Sequence, residues 1–408
     1  MKFNIDDLKV KGLRVIVRVD FNVPFNKETG EISDNNRIVA ALPTIKKLVS
    51  LGAKVILMSH LGKIDFKKSP EDIEKAKKKN NMAPVAKALE ELLGQKVTFV
   101  PTTRGPELEK SISELHDGDV LLMQNTRYEK GESKNDPELA KYWASFGDAF
   151  VMDAFGSAHR AHVSTYGIPE ILEKEGKQVA VGYLVEKEVK ALSRCVNVKN
   201  DERPYVAILG GSKVSDKIQV IDSLLKKVDH ILIGGGMAYT FLASKGHKIG
   251  NSLFEADQVE YAKKCLESGK IVLPVDNVVA NDFATPTIIK EVGEDIPDGF
   301  MGLDIGKKTE KLYKDYILKA KTIFWNGPMG VFENEKFASG TKAVCKDCAE
   351  ATKNGAFSVI GGGDSAAAVK QFGFKSEFSH VSTGGGASLE MIQFDGHIPG
   401  IDIIPDKK

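Results

Sequence analysis

Short apolar runs rich in β-branched residues alternate with helical patterns along the chain, and this alternation restricts the choice of fold. Each run is nearly continuous in apolar side chains, which is typical of a parallel strand buried on both faces. Strands that alternate with helices imply parallel sheets with right-handed crossovers. Six runs fall in each half, so the sequence predicts an α/β protein with two Rossmann-like lobes, each a three-layer α/β/α sandwich around a mainly parallel six-stranded sheet. The runs are 15–21, 54–60, 96–100, 119–125, 149–155 and 178–183, then 205–211, 230–236, 271–276, 322–327, 357–363 and 380–386.

A helix with one apolar face is predicted at the junction between the two halves. Its apolar positions recur at helical spacing, and the polar stretch NVKNDERP follows them. A helix between two domains is a natural mechanical element, although an ordinary crossover helix has the same pattern. The apolar positions are Val185, Val189, Leu192 and Val196, and the predicted division is a lobe at 1–183, a linker helix or hinge at 184–203 and a lobe at 204–391.

The overall charge excludes partners that bind through a global electrostatic field. Lysine and arginine number 57 against 56 aspartate and glutamate, so the formal net charge is +1. We therefore expect no nucleic-acid or membrane partner, and an anion site must come from the local placement of cations. Four cysteines do not form a disulfide framework, and the N-terminus carries acids where a signal peptide is apolar. The sequence thus predicts a cytoplasmic protein.

In the first half of the chain, cations and amides follow the predicted strands. Ligands of open α/β sheets bind beyond the carboxyl ends of the strands. Arginine matches a phosphate or carboxylate with a two-pronged fork, and histidine adds directional donors. Each residue alone is better explained as a surface group, but five loops together predict a pocket for a small polyanion. The candidates are Asp20, Asn22, Arg37, His60, Lys63, Arg127, His159, Arg160 and His162.

Three further patterns have a structural interpretation beside a chemical one. His159 and His162 with Asp153 have a spacing that a metal site can use, but no recognised zinc pattern supports it. Cys345 and Cys348 resemble a redox or zinc pair without a second pair, so packed thiols are favoured. The lysine-rich stretch 63–80 contains a helix start at Ser69-Pro70-Glu71, and its charges are interpreted as solvated.

In the second half, clusters of glycine follow the strands instead. Glycine lets backbone N–H groups approach a phosphate closely, and the start of the following helix favours an anion. One such turn is weak evidence, whereas five in one lobe point to a nucleotide or a similar phosphate ligand. The clusters are LGGSK at 209–213, GGGMAY at 234–239, NGPMG at 326–330, GGGDS at 361–365 and TGGGAS at 383–388.

Charged residues beside these glycines sharpen the prediction. Lys213 and Lys217 are four residues apart and are predicted to share one face at the start of a helix, where the macrodipole disfavours cations. A bound phosphate would resolve that conflict, although two solvated lysines balanced by Asp216 fit the segment equally well. Asp364 is interpreted either as a helix N-cap or, beside phosphates, as a Mg²⁺ ligand.

Two common nucleotide fingerprints are absent from the sequence. The chain contains no GxxxxGK[ST], and no GxGxxG that follows a strand with an acid about 20 residues further on. A standard P-loop enzyme and a nicotinamide-dependent dehydrogenase are therefore disfavoured. A polyanion pocket in one lobe and a phosphate site in the other predict phosphoryl transfer between two ligands that domain closure brings together.

The motifs of the chain, in their order, resemble those of the phosphoglycerate kinase family over nearly the whole length. The resemblance implies reversible transfer of a phosphoryl group between 1,3-bisphosphoglycerate and ADP, which gives 3-phosphoglycerate and ATP, with Mg²⁺. It also implies a monomer whose C-terminal segment, 392–408, returns to complete the first lobe. A catalytically inactive nucleotide sensor would be expected to lack Arg37 or Lys213, and both are present. The motifs are RVDFNVP, SHLGK, APVAKALEELLG, DAFGSAHRAHVST, GGSKVSDKI, GGGMAYTF, WNGPMGVFE, GGGDSAAA and STGGGASLE.

The resemblance also implies roles for individual residues. The transferring phosphoryl group would meet Arg37, Lys213, Gly362 and Gly385, and Asp364 would hold Mg²⁺. Gly302, Leu303 and Pro328 would border the adenine, and Glu333 would accept hydrogen bonds from the ribose. The phosphoglycerate would be bound by Asp20, Asn22, Arg37, His60, Lys63, Arg127 and Arg160. The other nucleotide-binding residues would be Gly211, Lys217, Gly234, Gly235, Asn326, Gly361, Gly362, Gly363 and Ser365.

The sequence departs from the family pattern in the first half. Lys63-Ile64 stands where the family usually has Arg-Pro, which keeps a positive charge but loses the guanidinium fork. QNTRY replaces the commoner ENLRF while Arg127 is kept, and the lysine-rich stretch 64–80 has no clear counterpart.

Overall fold

The computed structural model describes all 408 residues of the chain. They form two compact units, one of residues 1–189 with 397–408 and the other of residues 190–396. The helix Tyr183–Val196 carries the chain from the first unit into the second. No helix in the structure has both the length and the apolar character needed to cross a lipid bilayer.

The first unit is built on a six-stranded sheet in which every pair of neighbouring strands is parallel. Its strands are β1 (Arg14–Val19), β2 (Lys54–Met58), β3 (Val97–Val100), β4 (Val120–Met123), β5 (Ala149–Asp153) and β6 (Gln178–Val181), in the order β3-β4-β2-β1-β5-β6. The helices along this part of the chain are α1 (Asn36–Ser50), α2 (Pro70–Lys79), α3 (Ala83–Leu93), α4 (Pro106–Ser113), α5 (Pro137–Ala144), α6 (Ile168–Lys174) and α7 (Tyr183–Val196).

The central strand of this sheet is covered on both faces. All residues of β1 after Arg14 are buried, and alternate residues of a strand point to opposite faces. Val15 and Val17 share one core cluster with Ile45 of α1 and Leu89 of α3. This packing explains why the strands appear in the sequence as continuous apolar runs.

The second unit contains a six-stranded parallel sheet of the same kind. Its strands are β7 (Tyr205–Leu209), β8 (His230–Ile233), β9 (Ile271–Val272), β13 (Thr322–Asn326), β14 (Phe357–Ile360) and β15 (His380–Val381), in the order β15-β14-β13-β7-β8-β9. The helices that follow α7 are α8 (Ile218–Leu225), α9 (Met237–Ser244), α10 (Val259–Leu266), α11 (Lys307–Lys319), α12 (Ser339–Lys353), α13 (Gly363–Gln371), α14 (Gly385–Gln393) and α15 (Pro399–Asp402), the last of which lies in the first unit.

The prediction of two mainly parallel six-stranded sheets is confirmed, but the second unit contains a third sheet that the sequence did not reveal. It consists of β10 (Asn277–Ala280), β11 (Ile289–Val292) and β12 (Met301–Ile305), paired antiparallel in the order β11-β10-β12. The residues of β11 are exposed or half-buried. An antiparallel ribbon with a solvated strand has no continuous apolar run, so it escapes a search for buried parallel strands.

The end of the chain packs on its beginning within the first unit. The Phe3 N–H donates to the Pro405 carbonyl at 2.8 Å, and the Lys407 ammonium lies 3.2 Å from a carboxylate oxygen of Asp7. Cys345 and Cys348, both residues of α12 in the second unit, are free thiols buried in its core.

Candidate active site

The carboxyl ends of the strands in the first sheet carry predicted acid-binding residues. Asp20 and Asn22 follow β1, His60 follows β2 and Arg127 follows β4. Because the strands are parallel, their carboxyl ends lie at one edge of the sheet. Arg37, the second residue of α1, donates from Nη1 to Asp20 Oδ1 at 3.2 Å and to the Asn22 carbonyl at 2.9 Å. The structure thus brings Asp20, Asn22 and Arg37 into direct contact.

Arg18 lies beneath this group and was not among the predicted residues. Its side chain is within β1 and only 1% exposed. It donates from Nε to Ser164 Oγ at 2.8 Å and from Nη1 to the Val19 carbonyl at 2.6 Å. The Ser164 hydroxyl donates to the buried carboxylate of Glu132 at 2.8 Å. Burial lowers the pKa of Arg18, and the nearby Glu132 carboxylate opposes that shift. The available signal was a charged residue inside a continuous apolar run.

His60 is held as a neutral imidazole. Burial lowers its pKa well below the usual value, and the positive charges of Arg18, Arg127 and Arg37 act in the same direction. Arg18 Nη2 lies 2.9 Å from His60 Nδ1. Since a guanidinium can only donate, Nδ1 accepts and the ring proton is on Nε2. A bound anion would relieve the repulsion among these cations, so the cluster is suited to a polyanion.

Arg127 is anchored to the loop after β2. Its Nη1 donates to the Gly62 carbonyl at 2.9 Å, while the Gly62 N–H donates to Asn22 Oδ1 at 2.8 Å. Burial lowers the pKa of Arg127, opposed by the carboxylates of Glu132 and Asp20. Lys63 and Arg160 are exposed, whereas Arg127 is half-buried.

The three residues considered as a metal site have different surroundings. Asp153 Oδ1 accepts the N–H groups of Leu184 at 3.1 Å and Val185 at 3.4 Å, both in the first turn of α7. Burial raises the pKa of Asp153 to about 7. Burial, together with the charges of Arg160 and His162, lowers the pKa of His159 to about 4. Asp153 therefore caps a helix, while the histidines belong to the cationic surroundings of Arg160.

The second unit contains a cavity of about 570 Å³ at the ends of its strands. Glycine turns after β7 and β8 form part of its wall, and β12 and the segments after β13 and β14 form another part. The sequence did not predict Tyr239, Leu253 and Phe283, which also line it. Leu253 and Phe283 are 59% and 57% exposed, and the available signal was a large apolar residue within a polar loop. The predicted residues in the lining are Gly211, Gly235, Gly302, Leu303, Pro328, Glu333 and Asp364.

The glycine turns of this cavity pack directly against one another. Gly235 has φ +70°, and a Cβ built there would lie 2.7 Å from the Gly211 nitrogen. A Cβ on Gly234 would lie 2.4 Å from the sulfur of Met329, and one on Gly385 would lie 3.0 Å from Gly362 Cα. Glycine is therefore required here for the close approach of neighbouring loops, as well as for access to a ligand.

Polar side chains join these turns. The Lys217 ammonium donates to Asn326 Oδ1, and the Asn326 amide donates to the Gly361 carbonyl. Burial lowers the pKa of Lys217, opposed by Asp216 and Asp364. Ser365 is fully buried, and its Oγ accepts the Gly327 N–H at 2.9 Å. The structure thus brings Lys217, Asn326 and the 361–363 turn together and places Ser365 beneath them, while Gly363 is exposed at the start of α13.

Two local predictions about this region were wrong. Lys213 and Lys217 do not share a helix face, because α8 begins at Ile218 and both lysines precede it. The intervening Ser215 directs its N–H to the Glu255 carboxylate at 3.2 Å instead of joining a helix. Asp364 is not an N-cap, since Gly362 occupies that position and Asp364 is the exposed second residue of α13.

The family model described as phosphoglycerate kinase matches residues 5–395. The chain belongs to the phosphoglycerate kinase family. It is 53% identical to the phosphoglycerate kinase of Spiroplasma citri, with 100% of this chain and 99% of that protein covered. It is 54% identical to the phosphoglycerate kinase of Lactobacillus acidophilus, with both chains covered in full. Membership makes the protein a glycolytic phosphotransferase. It reversibly transfers a phosphoryl group from 1,3-bisphosphoglycerate to ADP, which gives 3-phosphoglycerate and ATP.

Solved structures of the family agree with this fold. The phosphoglycerate kinase from Coxiella burnetii matches with a TM-score of 0.86 and 37% identity, over 99% of this chain and 98% of that one. The enzyme from Pyrococcus horikoshii matches with a TM-score of 0.81 and 32% identity, over 98% of both chains.

The antiparallel sheet forms part of the wall of the cavity in this kinase. Gly302 of β12 lines the cavity, and a Cβ there would lie 2.2 Å from the Tyr239 ring. The next buried acid, Asp304, accepts the Gly340 N–H at the start of α12 at 2.9 Å. Burial raises the pKa of Asp304 to about 7. The antiparallel sheet, which the sequence did not predict, therefore positions Gly302 and Leu303, which were among the predicted nucleotide-binding residues.

Proposed function

We propose that each unit holds one substrate and that the phosphoryl group passes directly between the substrates. The observation that carries this proposal is the separation of site chemistry between the units. Arginine and histidine converge at the sheet edge of the first unit, and a glycine-lined cavity of about 570 Å³ lies in the second. A small phosphorylated acid suits the cationic edge, and a nucleotide suits a concave site with backbone donors.

The acid side would combine charge with orientation. Arg37, Arg127 and Arg160 supply guanidinium groups for the phosphate and carboxylate of 3-phosphoglycerate, and the neutral His60 donates from Nε2. Lys63 adds a positive charge from the exposed rim. The carboxylate of Asp20 and the side-chain amide of Asn22 serve a hydroxyl of the acid. The Asp20 carboxylate and the Asn22 backbone carbonyl orient Arg37, which they already contact.

The nucleotide side would use backbone and apolar contacts. The base lies against Gly302, Leu303 and Pro328, and Glu333 accepts hydrogen bonds from the ribose hydroxyls. The phosphates meet the glycine turns at 211, 234–235 and 361–363, where the lack of side chains allows close approach, with Lys217 and Asn326 beside them and Ser365 supporting the turns.

Asp364 is the proposed protein ligand of Mg²⁺. Its exposed carboxylate stands on the cavity wall at the start of α13, beside the glycine turn. Magnesium is commonly held by one or two carboxylates together with substrate phosphates and water, and a single carboxylate here fits that coordination. When bound, the ion would neutralise charge on the nucleotide phosphates.

The proposed chemistry is an in-line transfer without a covalent enzyme intermediate. Both reacting oxygens belong to the substrates, and a carboxylate nucleophile requires no strong base. The residues therefore act by positioning and charge neutralisation. Arg37, Lys213 and the N–H groups of Gly362 and Gly385 would meet the oxygens of the transferring group.

The proposed function also includes a hinge between two lobes, a monomeric state and a cytoplasmic location. The lobes are 1–183 with 392–408 and 204–391, and the segment 184–203, which contains most of α7, acts as the hinge. The enzyme works as a monomer in the cytoplasm on small molecules, without a nucleic-acid partner.

An assay of ADP release tests the proposal. The purified protein is expected to consume ATP only when 3-phosphoglycerate and Mg²⁺ are both present. Asp364→Asn should raise the Mg²⁺ concentration needed for half-maximal rate at least tenfold. Asp257→Asn, which changes another exposed acid of the same unit, should leave it unchanged. ATP consumption that does not depend on 3-phosphoglycerate would overturn the proposal.

A further inference from the structure

Asn125 is a buried amide at the centre of the loops that carry the acid-binding residues. It is fully buried and lies two residues before Arg127. Its Oδ1 accepts the N–H groups of Leu61 at 3.1 Å and Arg127 at 3.0 Å. Its Nδ2 donates to the carbonyls of Leu61 at 2.7 Å and Asn80 at 3.0 Å. All four hydrogen-bonding positions of the amide are therefore used, each toward a backbone group.

Asn125 holds the loop at Leu61 and Gly62, and the side chains of Asn22 and Arg127 hydrogen-bond to this loop. Leu61 is bonded through both its N–H and its carbonyl, so Gly62 follows from a fixed position. Gly62 in turn receives the Arg127 guanidinium on its carbonyl and donates its N–H to Asn22. One side chain thus fixes the backbone of Arg127 and the anchor of its guanidinium at the same time.

The same amide closes the lysine-rich stretch 63–80, of which the proposed function uses only Lys63. Asn80, at the end of α2, gives its carbonyl to Asn125 and donates from Nδ2 to the Lys63 carbonyl at 3.3 Å. Its side chain also packs on Gly62, where a Cβ would lie 2.2 Å from Asn80 Oδ1. Tyr128, just after Arg127, donates its hydroxyl to the Lys77 carbonyl, and the Lys77 ammonium lies 5.5 Å from the centre of its ring.

We propose that Asn125 is a positioning residue for the acid substrate. Its hydrogen bonds tie Asn80, at the end of the 63–80 stretch, to Leu61, and this link stabilises the contact between the Gly62 carbonyl and the Arg127 guanidinium. The inference rests on the proposed role of Arg127 in binding 3-phosphoglycerate. It gives the lysine-rich stretch a definite part in the site: its two ends meet at Lys63 and Asn80, directly behind the loop that receives Arg127.

The substitution Asn125→Asp tests the inference with the smallest change of shape. It replaces the Nδ2 donor by an oxygen that faces two carbonyls, so Leu61 and Asn80 lose their shared donor. We expect the KM for 3-phosphoglycerate to rise on the order of tenfold or more, with kcat within about threefold and the KM for ATP unchanged, because positioning is lost on the acid side alone. Asn4→Ala is the control: it removes a buried cap in the same unit, away from these loops, and should change neither KM.

A second variant keeps the inference testable if Asn125→Asp does not fold. Asn80→Ala removes the bond to Lys63 and the packing on Gly62 from a half-buried position, and a rise of about threefold in the same KM is expected. Arg127→Lys, measured in parallel, separates the two levels of the proposal. An unchanged KM for 3-phosphoglycerate in Arg127→Lys would contradict the proposed function. A raised KM in Arg127→Lys with normal values in Asn125→Asp, or in Asn80→Ala if only that variant folds, would overturn the inference alone.

Discussion

Lys213 is the residue whose proposed role most directly concerns the reaction rather than binding. It is exposed and lies in the segment before α8. A cation that acts on charge developing in the transition state contributes to kcat rather than to KM. We expect Lys213→Ala to lower kcat on the order of 10²–10³-fold while both KM values change little, as measured by steady-state kinetics. Lys245→Ala, at another exposed lysine of the unit, should be neutral, and wild-type turnover in Lys213→Ala would remove this residue from the mechanism.

Asp153 gives a prediction about stability at the same scale. Its pKa is raised by burial from 3.8 to about 7, so the folded state binds its proton more tightly than the unfolded state does. The stability from that proton is fully present below about pH 4 and is lost as pH rises through about 7, by a few kcal/mol, since each pKa unit corresponds to about 1.4 kcal/mol. Asp153→Asn keeps the acceptor for the α7 N–H groups and cannot titrate, so its stability relative to the wild type should increase from pH 4 to pH 8.

Tryptophan fluorescence can report this effect in the correct unit. Trp143 lies in the first unit and Trp325 in the second, so urea unfolding in a Trp325→Phe background follows the unit that contains Asp153. A constant difference between the Asp153→Asn variant and its parent across this pH range would contradict the prediction.

Among the elements, the turn after β8 requires glycine at position 235 for two reasons, its backbone conformation and its close contact with the turn after β7. Gly235 has positive φ and also lies where a Cβ would be 2.7 Å from the Gly211 nitrogen. Gly235→Ala should therefore displace the cavity wall, and we expect the KM for ATP to rise at least tenfold with the KM for 3-phosphoglycerate unchanged, because only the nucleotide contacts this wall in the proposed function. Overpacking of this kind should also lower the stability of the fold by about 1–3 kcal/mol. Gly246→Ala is a matched control, since Gly246 also has positive φ but open space around its Cβ. Equal effects of the two variants on KM would show that backbone strain alone is responsible.

The elements also show what the sequence can and cannot predict. Buried parallel strands such as β1 and β7 leave a continuous apolar signal, and the polar residues after them follow from sheet geometry. The solvated strand β11 leaves no such signal, so the antiparallel sheet was missed. The start of α8 was predicted too early because Ser215 bonds to Glu255, 40 residues away, and a tertiary contact of that kind is not visible in local sequence. Arg18 lies inside the apolar run of β1, and the pattern of a buried strand by itself assigns no role to a single charged residue within it.

For the whole molecule, the division of the proposed roles between two units sets the conditions for closure. A ligand can shift a conformational equilibrium only through a difference in its affinity for the two states. In the proposed mechanism, 3-phosphoglycerate bound without nucleotide contacts only residues of the first unit. Nucleotide bound without 3-phosphoglycerate contacts only residues of the second. Neither ligand by itself then distinguishes an open from a closed arrangement. The two ligands together create new contacts across the proposed hinge, and only the ternary complex should favour closure.

Small-angle scattering can test this expectation with a pair of ligands that does not react. 3-Phosphoglycerate and Mg²⁺–ADP together should lower the radius of gyration below that of the free protein, whereas each alone at saturating concentration should leave it close to the free value. Lys213→Ala should still close, because a residue that acts on the transferring group is not needed to bind a pair that lacks one. Full compaction with a single ligand would place the affinity difference within one unit, and identical profiles in all four states would show that transfer occurs without closure of the hinge.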